Sequence, residues 1–254
     1  MSVPKGARGR VLAEVTALWL LTLLAIRGVV LAQAAGLPDW VLATVPFLFI
    51  YVPVGLCRLR GVDSDGYRLS LPAFEDRAAW KEAFRLNGWL ILIVLPPWLV
   101  GYHLWQNLFD WFVAGWPRES WSWETLDLLH RVTPTWKLPG DALLLVPYHL
   151  FFVALPEEFF YRGYLQTRLD EVFPRRFVVA GTAFGWALPI ACLYFAFGHS
   201  LVVVRWWHFA TFFPGLLFGW LRARTGNPLA GAIFHAWCNV TVVLLDTAYG
   251  IRLG

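Results

Sequence analysis

Leu155-Pro156-Glu157-Glu158-Phe159-Phe160-Tyr161-Arg162 sets two adjacent carboxylates and a guanidinium inside an apolar stretch. The flanks, Leu143 to Val146 and Leu150 to Leu155, carry no charge. A carboxylate at the centre of a membrane helix costs roughly 2.5–3.5 kcal/mol on insertion scales. Charges placed here need a compensating reason: proton chemistry, ion passage or a buried ion pair. Helix geometry separates the carboxylates. Residues four apart share a face, and acid before base is the favourable order, which pairs Glu158 with Arg162. Glu157 is turned about 100° away. It is left to face a cavity and carry proton chemistry. The competing reading is a buried charge cluster that only fixes helix packing.

The rest of the chain supplies a membrane setting. Its 254 residues are 58% hydrophobic and 15% charged, whereas a soluble domain has about 25% charged residues. Sixteen tryptophans suit a protein with two membrane–water interfaces, where Trp concentrates. The expected fold is an all-α, polytopic transmembrane bundle of about seven spans, within six to eight, since each span needs about 20 apolar residues. Residues 1–254 read as a single integral membrane domain.

The spans are Val11–Ala35, Trp40–Cys57, Leu86 to Phe112, Ala142 to Leu169, Phe177–Phe197, Leu201 to Leu221 and Leu229–Tyr249. Ala32-Gln33-Ala34 could be a signal-peptidase site. Arg27 interrupts a long run just before it, which favours an uncleaved anchor. Phe74–Phe84 reads as an amphipathic interfacial helix or an ordinary solvated one. Pro96-Pro97 predicts a kink in the third span, and Pro147 and Pro156 predict a fourth that is not straight. The Trp-rich segment Gly115–Gly140 is expected at the interface. Cys57, Cys192 and Cys238 lack metal-ligand spacing and read as packing residues.

The net charge of +4 is modest, and the basic residues lie between apolar runs. They act as topology signals and give no nucleic-acid surface. With the N-terminus cytoplasmic, seven spans put Lys5, Arg8 and Arg10, the Arg58–Arg85 segment, Arg168/Arg175/Arg176 and Arg222/Arg224 on the cytoplasmic side.

Two further polar groups interrupt apolar runs. Phe195-Ala196-Phe197-Gly198-His199 ends the fifth. His235-Ala236-Trp237-Cys238-Asn239 begins the last, with His235 and Asn239 on one face. Singly, such residues serve as interfacial groups or interhelical glue. Together, a free carboxylate, two imidazoles and an amide suit water activation and oxyanion stabilisation. His208 and His149 read as packing or interfacial residues. No Gly-x-Ser-x-Gly elbow, phosphate loop or His-Glu-x-x-His pair occurs.

The three groups in this order resemble the CPBP family of intramembrane proteases, which includes the CAAX prenyl endopeptidase of the Ras-converting type, bacterial relatives and myxosortase-like members. The family pattern of Glu-Glu-x-x-x-Arg, Phe-x-x-x-His and His-x-x-x-Asn is matched by Glu157-Glu158…Arg162, Phe195…His199 and His235…Asn239. The similar core is about 146–243; 1–145 carries N-terminal spans and loops without a recognised motif.

The resemblance implies an endopeptidase that cuts a peptide bond in or near the bilayer. It implies Glu157 as general base, His199 positioning the water, and His235 and Asn239 stabilising the oxyanion. Glu158, Arg162 and Phe195 would support them. It implies no cofactor, with zinc on a Glu–His set as the alternative. The implied partner is a membrane-anchored protein or peptide, including one with a C-terminal sorting or lipid-modified tail; the basic, Trp-rich and Ala-rich composition points to a bacterial inner membrane. A proton-coupled transporter or channel using Glu157 and the histidines is the competing class. One difficulty stands: with seven full spans, His199 falls near one face of the membrane and His235 near the other.

Overall fold

The apolar runs fold into helices in a computed structural model that describes residues 5–63, 69–114, 134–203 and 206–250. We number the helices α1 (Lys5–Ala34), α2 (Thr44–Leu59), α3 (Arg77–Ala114), α4 (Ala142–Val172), α5 (Ala187–Val202), α6 (Phe212–Thr225) and α7 (Leu229–Ala248). Among the described residues, α1, α2 with the short turn before it, α3, α4 and α7 are long and apolar enough to cross a membrane. The protein is an all-α helical bundle and an integral membrane protein.

The fifth and sixth expected spans are shorter than the sequence suggests. Phe177 to Phe184 is no membrane helix but an antiparallel hairpin, β1 (Phe177–Val179) on β2 (Thr182–Phe184). Ala180 and Gly181 close it with positive φ of 48° and 73°, the backbone of a tight two-residue hairpin turn. Hydropathy cannot separate a short β-branched strand from the first turns of a span. Helix α5 therefore has 16 residues. The sixth run holds extended backbone at Val203, a 3-10 turn at Trp206–Thr211, and then the 14-residue α6. Pro214 sits in the first turn of α6, where its missing N–H breaks no bond. Gly226 ends α6 with φ 79°.

These short elements remove the difficulty over depth. At 1.5 Å per residue, α5 and α6 rise about 24 and 21 Å, less than the ~30 Å of a bilayer core. The end of α5 and the second turn of α7 can then meet at one level.

Helix α4 departs from regular geometry, as its prolines predict. It widens to π-helix over His149–Ala154 and again over Phe159–Leu165. Pro156 cannot donate, and a π-segment is one way for a helix to pass such a defect. Helix α3, by contrast, runs unbroken through Pro96 and Pro97. The expected amphipathic helix is not separate: its residues from Arg77 form the first turns of α3. Asp76 caps it by accepting from Ala79 N–H at 3.0 Å, and Trp80 stacks on Phe74. Residues 115–133 of the Trp-rich segment lie outside the described residues; Trp136 is exposed.

Helix α7 is the axis. Of its apolar window 61% is buried, against 11–28% in the other four spanning helices. It packs on α3, α4 and α6, while α5 packs on α1, α4 and α6. The outer faces of α1, α3 and α4 expose Leu21, Leu92, Ile93 and Leu143, as a lipid-facing bundle requires. The three cysteines are buried and unbonded.

Helix α1 is tied to α4 by a polar cluster. Glu14 accepts from Tyr164 Oη at 2.7 Å and from Arg168 Nη2 at 2.9 Å, and pairs with Arg60 at 2.5 Å. Arg168 is buried. Arg168 also pairs with Glu171, so Glu14→Ala should remove one of its two carboxylates and the Tyr164 acceptor and lower stability by about 1.5–3 kcal/mol. Thermal unfolding in detergent checks this, with Arg60→Ala expected to cost much less because Arg60 is partly exposed.

Candidate active site

Helix α4 turns Glu158 fully inward. Its side chain and that of Arg162 have no exposed surface, and Arg162 Nη1 stands 3.4 Å from Glu158 Oε1. A buried carboxylate of this kind is held only with compensating partners. A second one comes from α7: His235 Nδ1 donates to the same Oε1 at 3.2 Å. The carboxylate accepts, so the proton is on Nδ1 and Nε2 points the other way.

Aromatic rings complete the shell. The Arg162 guanidinium lies 4.4 Å over Phe195 and 5.3 Å from the centre of Phe218, contacts that favour a desolvated cation. Phe218 stacks on the His235 ring at 4.7 Å with planes 14° apart. Phe195 meets the rings of His199 and His235 edge to face. Arg162 Nη2 donates to the Gly215 carbonyl at 3.1 Å. This approach needs glycine, since a Cβ at Gly215 would lie 3.1 Å from that nitrogen. Gly231 does the same for Glu158, where a Cβ would stand 2.9 Å from Oε2.

Glu157 occupies the adjacent face, as the helical period requires. Its Oε2 is buried, makes no hydrogen bond among the described residues, and faces two imidazoles. His199 Nε2 and His235 Nε2 are each 3.9 Å away. That gap is too long for a direct hydrogen bond and suited to a bridging water. His199 Nδ1 donates to the Phe195 carbonyl at 2.9 Å, which leaves Nε2 of the neutral ring as an acceptor towards Glu157.

Glu157 and His199 line a cavity of about 140 Å³, walled by α1, α2, α4 and α5 and by the turn carrying His208. His208 donates from Nδ1 to the His199 carbonyl at 3.1 Å. His208, which has no motif spacing and reads from the sequence as a packing or interfacial residue, thus lines the cavity. Gly198 adjoins the Tyr161 hydroxyl, which a Cβ would strike.

The structure thus brings together Glu157, Glu158, Arg162, Phe195, His199 and His235. Asn239 lies half-buried one turn beyond His235 and makes no hydrogen bond among the described residues. Spacing alone pairs Glu158 with Arg162; the structure adds His235. Phe218, Gly215 and Gly231 carried no signal beyond lying on apolar runs.

Glu157 and the two imidazoles are the donors of the zinc alternative; their separations of 3.9 Å are longer than the roughly 3.3 Å between ligands about 2.0–2.1 Å from a tetrahedral zinc. Among the described residues no three His, Cys, Asp or Glu side chains form a group that could hold a metal ion.

A helical bundle with this carboxylate–imidazole cluster inside its apolar core has the build of an intramembrane hydrolase. Residues 139–241 match the family model described as type II CAAX prenyl endopeptidase Rce1-like. This segment is thus similar to the Rce1-like intramembrane proteases over 139–241, less than half of the chain. The match begins just before α4, ends within α7 and leaves α1–α3 outside it. No curated protein and no solved structure matches the chain.

Two substitutions report on the buried cluster. Glu158→Gln and Arg162→Met should each cost about 3–5 kcal/mol, because each strands a buried charge. The double variant should cost less than their sum. Unfolding of the four proteins in one detergent measures the coupling; simple additivity would mean the two are not paired.

Proposed function

We propose that the chain is an intramembrane endopeptidase that hydrolyses a peptide bond in or near the bilayer with water activated by Glu157. The observation that carries the reading is the unpartnered Glu157 Oε2 facing two Nε2 atoms at 3.9 Å, beside a cavity. A water in that gap meets two acceptors, Glu157 and His199. Both of its hydrogens are engaged, and a lone pair is presented to the substrate carbonyl. Glu157 takes the proton as water attacks, and returns it to the leaving amine.

His235 has a different part. Its Nδ1–H is held by Glu158, so a proton on Nε2 makes an imidazolium whose charge the carboxylate balances. That Nε2–H, with the Asn239 amide one turn away, stabilises the oxyanion of the tetrahedral intermediate. Arg162 holds Glu158 in place, and Phe195 fixes the spacing of both imidazoles. Each step uses side chains of this chain alone, without a metal ion.

The substrate in this reading is a membrane-anchored protein or peptide, including one with a C-terminal sorting or lipid-modified tail. The membrane in this reading is a bacterial inner membrane, and the distribution of Arg and Lys favours a cytoplasmic N-terminus. The chemistry lies in 146–243, within one membrane domain.

Purified protein in lipid vesicles, incubated with membrane-anchored peptides and followed by mass spectrometry, tests the reading. Glu157→Gln should fold normally and lose 10²–10⁴-fold in turnover, the usual worth of a general base. Near-wild-type cleavage by this variant would overturn the mechanism.

Activity should also survive exhaustive chelation. Stoichiometric zinc whose removal and return switch turnover off and on would replace the glutamate mechanism with a metalloprotease. His235→Ala and Asn239→Ala should lower kcat more than they raise KM.

A further inference from the structure

The hairpin between α4 and α5 turns apolar side chains outward. All three residues of β1 are exposed, Phe177 at 41%, Val178 at 69% and Val179 at 55%, and Trp186 just beyond β2 is exposed at 56%. The hairpin is nevertheless firmly held. Trp220 of α6 donates Nε1 to the Val179 carbonyl at 3.1 Å, and Trp186 packs edge to face on Phe177. The Arg176 N–H donates to the Phe184 carbonyl at 2.9 Å. Gly185 is pressed against the segment after α4, where a Cβ would stand 2.5 Å from the Pro174 carbonyl oxygen. The fold itself therefore fixes the exposure of these side chains.

The level of this face in the membrane is bounded from two sides. The outer edges of a two-stranded sheet leave backbone N–H and C=O groups unpaired, and open edges do not occur against lipid hydrocarbon. Exposed Phe, Val and Trp side chains are in turn unfavourable in water. The headgroup layer, where aromatic side chains of membrane proteins concentrate, satisfies both conditions.

Charge identifies the lipid. Arg175 and Arg176 stand at the base of the hairpin, and Arg222 and Arg224 lie in the last turn of α6. One carboxylate, Asp170, serves Arg175 at 3.2 Å and Arg222 at 3.3 Å. Its neighbour Glu171 is taken by Arg168. Arg176 and Arg224 are exposed and have no ion pair among the described residues. Arg224 reaches the hairpin turn, its Nη1 lying 3.3 Å from where a Cβ on Gly181 would stand. One guanidinium at the base and one at the turn of an apolar hairpin match the phosphates and upper acyl chains of anionic lipids.

We infer that the β1–β2 hairpin is an interfacial docking surface for anionic phospholipids, with Phe177, Val178 and Trp186 against the glycerol and upper acyl carbons and Arg176 and Arg224 each on a lipid phosphate. The bound lipid holds the start of α5, the helix that carries His199, at one depth. This surface does not depend on the chemistry of Glu157.

The test titrates full-length protein in a neutral detergent with phosphatidylglycerol or phosphatidylcholine and counts bound lipids by native mass spectrometry. Phosphatidylglycerol should bind at least tenfold more tightly, since each arginine near an anionic surface is worth roughly fivefold. Arg176→Gln combined with Arg224→Gln should remove most of that preference. Arg77→Gln combined with Lys81→Gln, exposed basic residues at the start of α3, should leave it in place. A nitroxide on Val178→Cys, with the native cysteines buried, should sit at headgroup depth in phosphatidylglycerol vesicles. Its collision rates with oxygen and with a water-soluble nickel chelate measure that depth.

Equal affinity for the two lipids would overturn the docking surface. So would a preference that survives loss of Arg176 and Arg224, or that falls as far when the α3 pair is changed. Competition by inorganic phosphate at the same concentration as the lipid would show a site for the free anion and overturn it too. A Val178 label in bulk water or at the bilayer centre would overturn it whatever the arginine variants do.

Discussion

One carboxylate governs the centre of this protein. Glu158 is wholly buried in an apolar bundle, where an isolated charge would cost several kcal/mol even after relaxation. It is held by Arg162 one turn along α4 and by His235 across the bundle on α7. Arg162 is itself a buried cation, and the rings of Phe195 and Phe218 and the Gly215 carbonyl receive it. Four helices, α4, α5, α6 and α7, are thus fixed around one pair of oxygens. The small residues on α6 and α7 follow from the same need: Gly215 and Gly231 stand where a side chain would push the charges apart.

Glu157 inherits its position from that arrangement. Neighbouring residues on a helix point about 100° apart, so anchoring Glu158 inward aims Glu157 at the gap between α4, α5 and α7. The widened turns of α4 on both sides of the pair occur at the proline that interrupts the regular bonding. The shortness of α5 and α6 then sets the level. If either crossed the full bilayer, His199 and His235 would stand at opposite depths. A hairpin at one end of α5 and a 3-10 turn beyond the other take up the apolar residues that would otherwise have lengthened them.

The legibility of the sequence follows from these constraints. Charges in an apolar run are expensive, so Glu157, Glu158, Arg162, His199 and His235 stood out. Their i,i+4 spacing supplied the pairing of Glu158 with Arg162. Contacts between helices carry no such mark: nothing in the spacing joins Glu158 to His235, or Phe218 to the imidazole on which it lies. Phe177–Phe184 misled because β-branched and aromatic residues are as apolar in a strand as in a span. Glu14 was legible in principle, being an acid inside the first apolar run, and its partners Arg60, Tyr164 and Arg168 explain why it is tolerated there. His208 was not legible, since only the folded turn after α5 brings it to the cavity beside His199.

The mechanism turns on where the tetrahedral centre sits. An experimental structure of the protein with a peptide phosphonate, whose tetrahedral oxygens stand in for the attacking water and the oxyanion, measures this directly. The account predicts one phosphonate oxygen within hydrogen-bond distance of Glu157 and His199, and the other facing His235 and Asn239. A phosphonate bound away from Glu157, or joined to Glu157 and the histidines through a metal ion, would contradict it.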